Sequence, residues 1–278
     1  GVLNKIVPTA VPCTWPIENI FPGFSQVNGE QTMNYSAQEA LNGKVDNDEI
    51  AILTRDSVTV LDESGREAGK QVFNVDWDPG DAEKGGYDHF MLKEIHEQPK
   101  AMADTLTGRC FPDKIVLDDV NLDAETMKSI NRIQIVACGT AYHAGMVGKY
   151  LIEKFARVAV ETEPASEYRY KDPLVDAHTL LIVISQSGET ADTLAAIRLA
   201  KEKGARVLAI TNVVGSSIAR EADDVLYTNA GPEIAVASTK AYVTQVGCMI
   251  LLALHFGLLN GQVAEGTMKR ATNRLKDA

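Results

Sequence analysis

From residue 133 the chain repeats one pattern. Contiguous apolar, often β-branched runs occur at Ile133 to Cys138, Val158 to Glu161, Leu180 to Ile184, Arg206 to Ile210 and Asp224 to Tyr227. Runs that are apolar without alternation predict strands covered on both faces, as in a parallel sheet. The stretches between them predict helices at 139–156, 165–170 and 191–203, with a short one from Ser216. Strands alternating with helices predict an α/β fold with a doubly wound parallel sheet and right-handed crossovers. Ligands of such sheets sit at the carboxyl ends of the strands, which singles out the turns at 139–141 and 185–190.

Upstream the pattern is different. Glu49 to Thr54 and Ser57 to Leu61 read as short strands around Arg55-Asp56, followed by a turn at 62–65 and a third strand at Lys70 to Val75. This small antiparallel meander is too short for a core of its own. Residues 81–106 read as mostly helical, with Pro99 interrupting the helix or starting a new one. A connector follows at 108–123 and a short helix at 124–131. Residues 1–45 show no periodicity, and Pro8, Pro12, Pro16 and Pro22 break any long element, so this stretch is expected to be irregular. Ala241 to Asn260 lacks Asp, Glu, Lys and Arg and has the length of a membrane span. Thr244, Gln245, Gly247, His255 and Gly257 within it favour a helix buried in a core or dimer interface, and no membrane association is expected.

Composition narrows the function classes. The 278 residues leave room for two domains or one large one. With 27 Lys and Arg against 38 Asp and Glu, the net charge of −11 argues against a nucleic-acid surface. Cys13, Cys110, Cys138 and Cys248 have no CxxC spacing, so neither a metal nor a disulfide framework is expected. Cys138 and Cys248 lie in apolar runs and read as small buried hydrophobes. No basic stretch followed by an apolar one opens the chain, so a cytoplasmic location is expected. His89 and His96, near Glu94 and Glu97, do not make an HExxH zinc motif. No nucleophile elbow with a Ser/His/Asp set is present.

Three segments carry candidate chemistry. Ser185-Gln186-Ser187-Gly188-Glu189-Thr190 links a buried strand to a helix. The amides of a helix's first turn, its macrodipole and the added hydroxyls make an anion cradle, and phosphate is the natural ligand. Ser185, Gln186, Ser187 and Thr190 can each donate to phosphate oxygens, and Gly188 allows close backbone approach. The turn has no Lys or Arg, which suits a phosphomonoester that must enter and leave. The plainer reading is a Ser N-cap with Glu189 in the first turn and no ligand. The second segment, Ala137-Cys138-Gly139-Thr140-Ala141-Tyr142, is again strand, glycine, hydroxyl and helix, and it lacks the GxGxxG spacing of a dinucleotide site. Its plainer reading is a tight turn with Thr140 as cap. The third, Asn229 to Lys240, is a loop entering a long helix, with Ser238 or Thr239 as cap. Its carbonyls and the Ser238 hydroxyl could orient sugar hydroxyls; Lys240 reads as solvated, and Glu233 is ambiguous.

Together the segments 137–145 (ACGTAYHAG), 185–191 (SQSGETA) and 229–241 (NAGPEIAVASTKA) resemble the first sugar-isomerase (SIS) domain of the glutamine–fructose-6-phosphate aminotransferase, or glucosamine-6-phosphate synthase, family. Residues 49–98, with Lys93-Glu94-Ile95-His96-Glu97-Gln98-Pro99, resemble the end of that family's glutaminase half and its junction. The resemblance covers about 46–278 and not 1–45. It implies an SIS-type five-stranded parallel sheet flanked by helices, preceded by a small antiparallel β/helical segment. The implied organisation is an unassigned segment at 1–45, the glutaminase end and linker at 46–107, and the first SIS domain at 108–278.

The implied site holds a phosphosugar, fructose 6-phosphate or glucosamine 6-phosphate. Ser185, Gln186, Ser187 and Thr190 would hold the phosphate, Val236 and Ser238 would contact the sugar, and Thr140 joins them from the second turn. A homodimer through SIS-domain helices, no organic cofactor and no metal are implied. Ala141 stands where many relatives have Ser, which removes one phosphate donor. The family's N-terminal nucleophilic Cys has no counterpart, since the chain starts Gly1-Val2-Leu3 and Cys13 lacks its context. The base, histidine and lysine that relatives carry in a second SIS domain are assigned to no residue here. The expectation is a chain that binds the phosphosugar and does not turn it over alone. Two other readings stay open: a non-enzymatic SIS sensor of a sugar phosphate, and another phosphosugar isomerase or deglycase.

Overall fold

The computed structural model describes residues 24–27, 30–33, 49–53, 58–69, 83–117 and 119–277. The proposed strand at 70–75, residue Cys13 and most of 1–45 lie outside them.

Five strands form one parallel sheet: β5 (Arg132–Ala137), β6 (Ala159–Pro164), β7 (Thr179–Ser185), β8 (Arg206–Thr211) and β9 (Asp224–Tyr227), in the order β6-β5-β7-β8-β9. All seven residues of the central strand β7 are buried. Its side chains alternate between two cores. Leu180, Ile182 and Ile184 join Ile133, Ile135, Leu208 and Ile210 on one face, whereas Leu181 and Val183 join Val136, Val207 and Ala209 on the other. Burial of each such side chain stabilises by about 1.5–3 kcal/mol, so five in sequence on one strand make it the anchor of the fold. The run is continuously apolar because both faces are covered.

The helices divide accordingly. On the first face lie α1 (Phe90–Leu106), α2 (Ala124–Ser129), α3 (Gly139–Phe155), α7 (Lys240–Leu259) and α8 (Glu265–Asp277); on the second lie α4 (Ala165–Tyr168), α5 (Ala191–Glu202) and α6 (Ser217–Glu221). The uncharged stretch 241–260 is α7, the one helix among the described residues long and apolar enough to cross a membrane. It is largely buried: Cys248, Met249, Leu251, Leu252, Ala253, Leu254 and Phe256 all lie in the first core, against α3 and α1. Its missing charge reflects burial on nearly every side.

Two antiparallel hairpins precede the sheet, β1 (Phe24–Val27) with β2 (Glu30–Met33) and β3 (Ile50–Leu53) with β4 (Val58–Leu61). The second was expected. The first falls in the stretch expected to be irregular, and the signal there is the dipeptide Asn28-Gly29 between the strands, the sequence preferred in two-residue hairpin loops. The helix expected from 81 begins at Phe90, after the Gly85-Gly86 pair, and runs without a break through Pro99. Proline leaves the carbonyl four residues earlier without its N–H. Here the Gln98 side chain donates to that carbonyl, of Ile95, at 3.0 Å.

Candidate functional site

The strand order places the second and first strands of the sheet side by side and sends the third to the other flank of the first. The chain therefore reverses direction across the sheet between β5 and β7, and their carboxyl ends are the position where sheets of this kind bind ligands. Ala137 pairs with Ile184, so the 138–141 turn leaves β5 directly beside the 185–190 turn leaving β7. Sequence reasoning singled out both turns, and the topology makes them neighbours.

The 185–190 turn is built by its own hydroxyls. Ser185, 4% exposed, accepts the Gly188 N–H at 3.1 Å through its hydroxyl, which also bonds the Thr190 hydroxyl at 3.0 Å. The Ser187 hydroxyl accepts the Glu189 N–H at 3.3 Å. Gln186, Ser187 and Thr190 are half-buried. The plainer reading of a Ser cap with Glu189 in the first turn holds only in part: Ser185 bonds within the turn, and the acidic residue in the first turn of α5 is Asp192, paired with Arg169 at 2.5 Å. The N-cap of α5 is Thr190, and no side chain caps that helix. Glu189 faces away, its carboxylate accepting the Ser217 N–H at 2.7 Å at the start of α6. The turn thus presents neutral donors at an uncapped helix N-terminus, the arrangement that suits an anion.

Gly188 has a role other than the expected approach to a ligand. Its φ is +67°, and a Cβ there would lie 2.1 Å from Ser216 Oγ and 2.9 Å from Thr211 Oγ1. Close approach is to the protein's own second layer. Thr140 is likewise not the cap that the plainer reading of its turn makes it. The N-cap of α3 is Cys138, and Thr140 sits exposed in the first helical turn, while Ala141 is buried against the core.

The 229–240 loop follows the edge strand β9. Val236 is 78% exposed, and Ser238 is half-buried, its hydroxyl accepting the Tyr242 N–H at 3.2 Å in the first turn of α7. Asn212, after β8, ties this loop to the phosphate-type turn. Its N–H donates to the Gln186 carbonyl at 3.1 Å, its side-chain amide donates to Gly231 O at 2.7 Å, and its side-chain oxygen accepts the Ala230 N–H at 2.8 Å. Sequence reading missed Asn212. Its only signal was position, immediately after a strand on the carboxyl edge.

One further expectation is corrected, and one open reading is resolved. Lys240, read as solvated, is 3% exposed and pairs with Glu97 Oε2 at 2.6 Å. Burial works against the charged form of Glu97, yet the hydrogen bond and charge of Lys240, with help from Lys93, hold its carboxyl below the usual range. Glu233 is a helix cap in effect: its carboxylate accepts the N–H of Thr239 at 2.9 Å and of Ala241 at 3.1 Å. That satisfies the first amides of α7 and places a negative charge at the positive end of its dipole.

No group of three or more potential metal ligands occurs among the described residues. Burial pushes the Cys248 thiol up to about 12, which leaves it without nucleophilic character.

Residues 126–255 match the SIS domain model. The chain is 62% identical over 222 residues to a glutamine–fructose-6-phosphate aminotransferase [isomerizing] of Clostridium tetani, covering 78% of this chain and 36% of that protein. It is 59% identical over 233 residues to the enzyme of the same name from Caldanaerobacter subterraneus, covering 84% of this chain and 38% of that one. Among solved structures, the C-terminal domain of glucosamine-fructose-6-phosphate aminotransferase from Francisella tularensis superposes with a TM-score of 0.66 at 43% identity, over 70% of this chain and 55% of that one. The chain thus spans little more than a third of the length of these curated relatives.

Proposed function

As the chain belongs to the glutamine–fructose-6-phosphate aminotransferase [isomerizing] family and carries its SIS domain, we propose that it holds the phosphosugar, fructose 6-phosphate or glucosamine 6-phosphate, for amino-sugar synthesis. In this reading Ser185, Gln186, Ser187 and Thr190 take the phosphate, Thr140 borders it from α3, and Val236 and Ser238 meet the sugar. The supporting observation is the 185–190 turn, with its neutral donors at a helix N-terminus that no side chain caps. In the same reading residues 46–107 are the end of the family's glutaminase half with its linker, and 108–278 its first SIS domain.

The proposed site residues are all uncharged; of the nearby carboxylates, Glu189 and Glu233 are engaged at helix N-termini and Asp192, in the first turn of α5, pairs with Arg169. We therefore assign this chain binding and orientation of the sugar phosphate, and no proton transfer. The same reading places it in the cytoplasm as a homodimer through SIS-domain helices; Met146 and Tyr150, exposed one turn apart on α3, fit such a contact.

Calorimetric titration tests the reading. Fructose 6-phosphate should bind and fructose should not, and a coupled assay with glutamine should detect no glucosamine 6-phosphate formed by this chain alone. Equal affinity for fructose would remove the phosphate from the account, and robust turnover would contradict the binding-only role.

A further inference from the structure

Residues 229–239, between β9 and α7, lie outside any strand or helix, and side-chain hydrogen bonds hold this loop at its base, middle and end. Asn212 holds its base at Ala230 and Gly231, and Glu233 holds its end at Thr239 and Ala241. The middle is held from a distant part of the chain. Glu94 of α1, 2% exposed, accepts the Ile234 N–H at 2.6 Å and the Ala235 N–H at 3.1 Å through Oε1, with Oε2 at 3.3 Å from the same Ala235 N–H.

A buried carboxylate is costly unless it is paired or hydrogen-bonded. Burial pushes the Glu94 carboxyl up, and the two amides pull it back only in part. A side chain that served packing alone would be apolar at this position. What the carboxylate does is bind two consecutive backbone amides, fixing the peptide planes immediately before Val236. The surrounding charges hold α1 itself in place. Lys240, at the start of α7, pairs with Glu97 one turn along α1, and Lys93 lies 3.4 Å from the same carboxylate. Lys93 also donates to the Glu83 carbonyl at 2.6 Å. At the far end of α1 the Thr105 hydroxyl donates to Thr228 O at 2.5 Å, just before the loop begins.

We propose that Glu94 is a positioning residue for the sugar end of the site, setting through the Ile234 and Ala235 amides where Val236 and Ser238 stand. The inference rests on the phosphosugar reading above. It gives the two ends of the site different supports: the phosphate turn hangs on the sheet, and the sugar loop, tied to the sheet at its base by Asn212, hangs at residues 234 and 235 on a helix that precedes the sheet in sequence. Loss of Glu94 should then weaken recognition of the sugar and leave recognition of phosphate intact.

The test compares the full chain with Glu94→Ala and Glu94→Gln, following two-dimensional NMR spectra during titration with fructose 6-phosphate and, separately, with inorganic phosphate. Glu94→Ala should weaken fructose 6-phosphate binding at least tenfold and change phosphate binding less than twofold. Glu94→Gln keeps one acceptor oxygen and should fall between. Amide exchange at 234 and 235 should speed up in Glu94→Ala while the amides of β7 keep their protection. Equal losses for both ligands, or unchanged sugar-phosphate affinity, would overturn the proposal. Should the unaltered chain not bind fructose 6-phosphate, the reading of the site falls, and exchange at 234 and 235 still decides whether Glu94 holds the loop; unaltered exchange there would refute it.

Discussion

Gly188 is the residue on which the phosphate-type turn depends most. At φ +67° a side chain pays the left-handed penalty of about 1–2 kcal/mol. A methyl group would also meet Ser216 Oγ at 2.1 Å and its Cβ at 2.4 Å, and Ser216 is buried. Gly188→Ala should therefore lower the melting temperature by more than the backbone penalty alone. Adding Ser216→Gly should recover most of the steric part, while the contact with Thr211 Oγ1 at 2.9 Å and the backbone penalty remain. Full recovery would show that φ is not strained there. His255 makes a second prediction. Burial lowers its pKa below 6.5, a hydrogen bond to the Leu122 backbone offsets this in part, and its Nε2 has no partner. A histidine that resists protonation when folded lets the unfolded chain bind the extra proton, so this contribution is complete above about pH 6.5 and is lost as pH falls below it. His255→Phe should flatten the decline in urea-unfolding stability between pH 6.5 and 5; an unchanged slope would assign that decline to other groups. At this scale the sequence exposes residue types and hides their partners. The hydroxyls of 185–190 were legible because they lie next to one another. Glu94 and Lys240 were not, because the groups that define their roles are about 140 positions away.

At the scale of elements, α3 and α7 pack closely through glycines. A Cβ at Gly257 would lie 2.8 Å from the Phe155 carbonyl oxygen, and one at Gly148 would lie 2.1 Å from the Met249 methyl. Alanine gains about 1 kcal/mol of helix propensity at either position. Overpacking costs about 1–3 kcal/mol where the neighbour cannot move. The Phe155 carbonyl at Gly257 is backbone and cannot, whereas at Gly148 the neighbour is the flexible Met249 side chain, which must shift its Cγ, 2.9 Å away, as well as its methyl. Gly257→Ala should thus destabilise more than Gly148→Ala in chemical denaturation; the reverse order would mean that the Met249 side chain is locked. The sheet strands were legible because burial on both faces leaves an unbroken apolar run. Continuity of α1 through Pro99 was not, since it depends on the Gln98 amide replacing one backbone donor. The β1–β2 hairpin did carry a local signal, Asn28-Gly29, flanked by strands whose apolar positions are too few to show a period.

For the whole molecule, topology assembles what the sequence scatters. Two turns 45 positions apart become neighbours because β5 and β7 pair in register, and Asn212 joins the second turn to a loop from the sheet's far edge. The parallel sheet could be anticipated from the alternation of strands with helices; the strand order and the joining contacts could not, since alternation fits several orders and each joining contact is a single polar side chain. The central claim is that the 185–190 turn holds a sugar phosphate. Its most direct test is calorimetric titration of fructose 6-phosphate into the chain and into a Ser187→Ala/Thr190→Ala variant. A hydrogen bond to a charged group is worth about 1.5–3 kcal/mol, so losing two should weaken binding at least about a hundredfold. Equal affinity in the two proteins would contradict the account and leave the turn a structural feature of the sheet.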